Sequence, residues 1–97
     1  MAYKITPYTR AQAKRLGVVV KPSKREGKKL DVYKGGRKVA TIGALGMGDY
    51  PTFMLEEKKG MHPKGFANQR RKAYKARHQS NRSVRGSNGW YADQLLW

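Results

Sequence analysis

The 97-residue chain contains no cysteine, which excludes a disulfide framework and any thiolate metal site. Long apolar runs are missing too, so no stretch approaches the roughly twenty apolar residues of a membrane-spanning helix. The N-terminus lacks the apolar centre of a secretory signal, and the sequence predicts a protein inside the cell or a virion, not one secreted by that route. Acidic residues are the scarcest charge: six Asp and Glu stand against 22 Lys and Arg, for a formal net charge of +16 at pH 7. Between Lys58 and Tyr91 there is no acidic residue, while ten Lys and Arg fall in that span. An imbalance of this size concerns partners and not fold. It ranks nucleic acid first, an acidic protein surface second and an anionic membrane third.

The excess is not a basic tail on a neutral domain. Residues 1–57 carry twelve basic and five acidic groups, and residues 58–97 carry ten and one. The length suits one small basic domain over 1–97, with a helix and β-hairpin half (1–57) and a half made of a basic helix and an aromatic ending (58–97). Hydrophobic residues make up 38%, below the usual share for soluble domains, so a small core is expected.

Tyr3 and Ile5 alternate with polar residues as in a short strand or extended arm, closed by Pro7. Thr9 and Gln12 fit a capping box opening a helix of about two turns that Gly17 stops. Val18-Val-Val20 reads as a strand, and residues 23–29 read as a solvated loop. The strongest local signal is Leu30-Asp-Val-Tyr-Lys34, then Gly35-Gly36, then Arg37 to Ile42, because two glycines between strand-like runs supply the positive φ angles of a tight hairpin. Val39 and Ala40/Ile42 fall on opposite parities, which leaves the register open and allows a bulge near the turn. Residues 43–48 are glycine-rich but lack the Lys-Ser/Thr and helix start of a phosphate loop, so a flexible turn is the reading. Thr52 to Glu57 suits a helical turn or a docking segment, residues 58–65 a loop, and residues 80–89 a basic linker. The fold class expected is α+β: a small antiparallel hairpin or sheet packed against a basic C-terminal helix, with a short N-terminal helix.

That basic helix runs from Phe66 to about His78. Placing residues 100° apart gathers Phe66, Arg70, Ala73, Tyr74 and Arg77 on one face and sets Arg71, Lys72 and Lys75 on the other. The second set is assigned to phosphate, together with Arg82 and Arg85 of the linker. Arg70 and Arg77 share the apolar face, where an unpaired guanidinium is costly. At least one of them, Arg77 before Arg70, is expected to stack on a ring or pair with Asp49, Asp93 or the terminal carboxylate. Trp90, Tyr91, Leu95, Leu96 and Trp97 form an apolar ending that either completes the chain's own core or docks to a neighbouring subunit.

Catalysis has little support. His62 and His78 are the only histidines, and the six carboxylates show no metal-binding spacing. No enzyme activity, metal or cofactor is expected. Zinc-finger, RRM and helix-turn-helix signatures are lacking, so nucleic acid would be met through its backbone with little base reading.

Four stretches together resemble a known group: the hairpin Leu30 to Gly43, Met47-Gly-Asp-Tyr-Pro51, the helix Arg70 to His78 with its Arg-His end, and Trp90 to Trp97 with its Leu-Leu-Trp end. Over residues 28–97 the chain is similar to short basic proteins, largely of unassigned activity, encoded by large DNA viruses and some aquatic phages. The resemblance implies a viral origin and a place in the virion, and it carries over no catalytic residue. The expectation is a virion-associated structural protein, minor capsid or capsid-lining, contacting packaged nucleic acid or acidic capsid surfaces. The alternative is a non-virion accessory protein that binds nucleic acid without sequence preference.

Overall fold

In the computed structural model, which describes residues 3–97, the chain is α+β. Its elements run α1 (Pro7–Leu16), β1 (Val19–Pro22), β2 (Lys28–Lys34), β3 (Arg37–Ala44), α2 (Tyr50–Lys58), α3 (Phe66–Arg77), α4 (Gln79–Arg82) and α5 (Asn88–Leu96). The three strands form one antiparallel sheet in the order β1-β2-β3.

The first helix starts earlier than Thr9. Thr6 is its N-cap, accepting the Thr9 N–H at 3.2 Å, and Pro7 occupies the first turn, where its missing N–H costs nothing. Thr9 instead points inward and donates its hydroxyl to the Leu95 carbonyl at 2.8 Å. Gly17 ends the helix at φ 72°, as expected. The first strand lies one residue later than the valine run suggests and extends through Pro22, which pairs with Leu30. A proline is tolerated there because β1 is an edge strand. Lys28 and Lys29, expected in a loop, belong to β2.

Gly35 and Gly36, at φ 60° and 78°, make the tight turn between β2 and β3. The parity conflict resolves as a bulge. Leu30 pairs with Ile42 and Val32 with Ala40, but Tyr33 pairs with Lys38, so Val39 is the extra residue and turns outward. Residues 52–57 lie within a two-turn helix, α2, whose N-cap is Asp49. One turn of the expected linker is helical (α4), and Ser87 then caps α5 by accepting the Trp90 N–H at 3.1 Å.

The core is the inner sheet face, with Val20, Leu30, Val32, Ala40 and Ile42, covered by Ala13 of α1 and by Tyr91, Leu95, Leu96 and Trp97 from the chain's end. Four of the five residues of the apolar ending are therefore core, and Trp90 is half-buried against it. Close packing at the α5–β3 junction requires glycine at position 43. A Cβ there would meet Leu96 Cδ1 and Lys29 Cδ at 2.9 Å each, and the residue sits at φ +77°. The antiparallel pair α2 and α3 is joined to this core by Trp97, whose ring stacks on Tyr74 at 4.2 Å and 4°.

Candidate nucleic-acid interface

The surface charge is decided by where the few acids go. Asp31, Asp49 and Asp93 are buried. Asp49 caps α2 by accepting the Thr52 N–H at 3.0 Å, and it also accepts the Tyr3 hydroxyl at 2.7 Å and the Lys29 ammonium at 2.8 Å. Burial pushes the Tyr3 phenol well above its ordinary range, and the hydrogen bond to Asp49 adds to the shift. Asp31 accepts from Ser23 Oγ at 2.7 Å and Thr41 Oγ1 at 3.0 Å. Burial alone would raise its pKa, yet these hydroxyls, the Lys24 N–H and the charge of Lys38 outweigh that and hold it below the ordinary value. Asp93 pairs with Lys75 at 2.6 Å. Glu56 faces His62 at 2.9 Å, and Glu57 accepts the Ala67 N–H at 2.9 Å at the start of α3. That amide and the one of Gly65 hold Glu57 below its usual range.

Five of the six acids thus bind partners within the fold, and Glu26 alone stands exposed among Lys24, Arg25 and Lys28. Of the 22 Lys and Arg, only Lys29 and Lys75 pair with an Asp or Glu side chain, which leaves twenty without such a partner among the described residues.

Helix α3 faces the fold differently from the sequence expectation. Its inward row is Ala67, Arg71, Tyr74, Lys75 and His78, while Arg70, Lys72, Ala73 and Arg77 are exposed. Arg71 is not free for phosphate: its Nε donates to the main-chain oxygen of Trp97 at 2.6 Å and its guanidinium lies 4.7 Å from the Tyr50 ring. Lys75 is held by Asp93, and Arg82 donates from Nε to the Lys75 carbonyl at 3.1 Å. Of the five residues assigned to phosphate, Lys72 and Arg85 keep their charged ends outward, Arg85 lying 5.7 Å from the Trp90 ring. The internal partners named for Arg77 go to other cations, since Lys29 takes Asp49, Lys75 takes Asp93 and Arg71 takes the Trp97 oxygen. Arg70 lies 5.5 Å from the Phe53 ring, and Arg77 is exposed with no carboxylate partner.

The physical reason is that long cationic side chains lay their stems on apolar surface while their heads reach an acceptor. The helix wheel weighs apolarity and is blind to acceptors that α5 brings from elsewhere in the chain. No sequence signal singles out the inward face: it is centred on Ala67, the one buried residue of α3, and nothing in the sequence sets that alanine apart from exposed Ala73 and Ala76.

Where α3 meets the chain's end, His78, Tyr74 and Trp97 stack in a column, with centroids 4.3 and 4.2 Å apart. This column lines a cleft of about 360 Å³ that also carries Lys29, Arg70 and Arg77. No group of three His, Asp or Glu side chains among the described residues is arranged to hold a metal. No described helix is long and apolar enough to cross a membrane. No family model, no curated protein and no solved structure matches this chain.

Proposed function

We propose that the protein binds nucleic acid through its phosphate backbone, without reading sequence and without a catalytic step. The observation that carries this reading is the engagement of five of the six acids within the fold, which leaves twenty cations without an Asp or Glu partner among the described residues of a small domain. A surface of this kind gains free energy by releasing the counterions condensed on a polyanion. Exposed Lys72, Arg77 and Arg85 supply contacts on the α3–α5 side, in place of Arg71 and Lys75.

Fluorescence anisotropy with labelled oligonucleotides of two unrelated sequences tests it. The expected result is equal affinity for both, with log K falling linearly against log salt at a slope near −0.9 per neutralised phosphate on duplex. Absence of binding at low salt, or a strong preference for one sequence, overturns it.

A place in a virion, as a minor capsid or capsid-lining protein against the packaged genome, is the narrower form of this proposal. The apolar ending does not favour a docking role, because Tyr91, Leu95, Leu96 and Trp97 are buried in the chain's own core. Mass spectrometry of purified particles tests the narrower form, and absence from particles despite abundance in infected cells overturns it.

A further inference from the structure

Most of the unpaired cations are scattered, but three converge. A cleft of about 350 Å³ is lined by Arg15 at the end of α1, Lys34 at the end of β2, Arg85 before α5, and by Leu16, Gly86, Trp90 and Tyr91. Three cations from three separate parts of the chain border it, and no carboxylate lines the cleft. Like charges are brought together only at a cost, which an anion seated between them would relieve.

Two of the three cations are also held in place. Arg15 is braced by two amide side chains, its Nε donating to Gln12 Oε1 at 3.3 Å and its Nη2 to Gln94 Oε1 at 3.0 Å. Its remaining N–H groups are left for another acceptor, since a guanidinium has five. Arg85 lies over the Trp90 ring at 5.7 Å, and that ring is fixed edge-on against Tyr91 at 5.0 Å. Gly86, at φ 85°, makes the turn that brings Arg85 back beside Trp90. Two forked guanidiniums and an ammonium around a small polar cavity are the donor types that phosphate accepts.

We infer that this cleft is a discrete phosphate seat, which holds one phosphate group of a bound nucleic-acid strand between Arg15, Lys34 and Arg85. The inference rests on the proposed function and deepens it, by giving an otherwise diffuse electrostatic surface one fixed point of contact. Free phosphate-bearing anions share the chemistry, so the test separates the two sources.

Inorganic pyrophosphate is titrated into the isotopically labelled protein and followed by NMR at the Trp90 and Trp97 indole N–H signals. A short oligothymidylate is then titrated by anisotropy into wild type, into the pocket variant Arg15→Ala/Lys34→Ala/Arg85→Ala, and into the control Lys58→Ala/Lys59→Ala/Lys64→Ala. All six positions are exposed, so both variants should fold, and both lose three charges. The expected result is a saturable pyrophosphate shift at Trp90 and not at Trp97, abolished in the pocket variant. Oligonucleotide affinity should fall at least about tenfold further in the pocket variant than in the control, the size expected when charge-assisted hydrogen bonds to one phosphate are lost. Equal losses in the two variants, with the Trp90 shift present, overturn the nucleic-acid seat in favour of a free anion and leave the proposed function standing. A pyrophosphate shift that is unsaturable, or unchanged in the pocket variant, overturns the seat itself. No oligonucleotide binding by wild type overturns the seat and the proposed function together.

Discussion

Two rows of cations run along α3, and they differ in everything except residue type. The inward row, Arg71 and Lys75, reaches acceptors on the chain's end, the Trp97 main-chain oxygen and the buried Asp93 carboxylate. The outward row, Lys72 and Arg77, has no carboxylate partner and faces solvent. Neighbours in sequence, Arg71 and Lys72, belong to opposite rows. The difference shows what an inward acceptor does: the Asp93 carboxylate and the Trp97 oxygen each draw a cation into the fold, and where no such acceptor stands the cation stays available to an outside anion. The same logic operates at Asp49 and Lys29, whose side chains are 1% and 5% exposed.

The strongest way to break this comparison is at Asp49. Asp49→Ala leaves the Lys29 ammonium buried without its counter-charge and removes the α2 cap and the acceptor of the Tyr3 hydroxyl. Breaking a buried pair from one side costs about 3–5 kcal/mol, a large part of a small domain's total stability. Urea unfolding should show that loss. A change under about 1 kcal/mol would mean that the pair behaves as a surface ion pair and that the acids do not organise the interior.

A smaller effect is expected within α3 itself. Lys75→Ala leaves Asp93, 5% exposed, with only a 3.5 Å contact from the Gln94 amide. The Lys75 side chain is 26% exposed, so solvent tempers the loss, and about 1–3 kcal/mol is expected by the same unfolding measurement. Lys75→Met, which keeps the stem packing but not the charge, should recover little of it. Full recovery would assign the role of Lys75 to its stem and erase the electrostatic contrast with the outer row.

Asp31 extends the comparison to pH. Its carboxyl titrates lower in the folded protein than the ordinary value of 3.8, so the unfolded chain takes up the proton first as pH falls. The stability it contributes is complete above that ordinary value and fades as pH drops through the lower folded value. Asp31→Asn should therefore flatten the acid limb of stability against pH. An unchanged acid limb would show that the hydroxyls of Ser23 and Thr41 do not favour the ionised form.

What was legible in the sequence follows from which interactions are local. The α+β class, the Gly35-Gly36 hairpin, the bulge beside it, the Gly17 stop and the extent of α3 all rest on backbone preferences and periodicity within a few residues. The N-cap of α1 was misplaced by three residues because Thr6 and Thr9 offer similar caps locally. Contact with Leu95, 86 positions away, settles which one turns inward. The candidate interface was less legible for the same reason. A charge count identifies a cationic surface, but whether Arg71 is free depends on Trp97, and whether Lys75 is free depends on Asp93. The convergence of Arg15, Lys34 and Arg85 has no sequence signal, since they lie on three distant parts of the chain brought together only by the fold.

The finest division between the rows lies at Lys72, next in sequence to a residue of the inner row. Its side chain is exposed and has no hydrogen-bonded or carboxylate partner among the described residues. Lys72→Ala should change stability by no more than about 0.5 kcal/mol, the usual size for surface sites without such partners. If Lys72 touches phosphate, the slope of log K against log salt should become shallower by roughly 0.9, the contribution of one phosphate on duplex DNA. Lys75→Ala should do the reverse, lowering stability and leaving the slope in place once the variant is measured at a temperature where it is folded. If Lys72→Ala proved as destabilising as Lys75→Ala, or if both moved the slope equally, the two rows would not be distinct. The cations of α3 would then act as one undivided field.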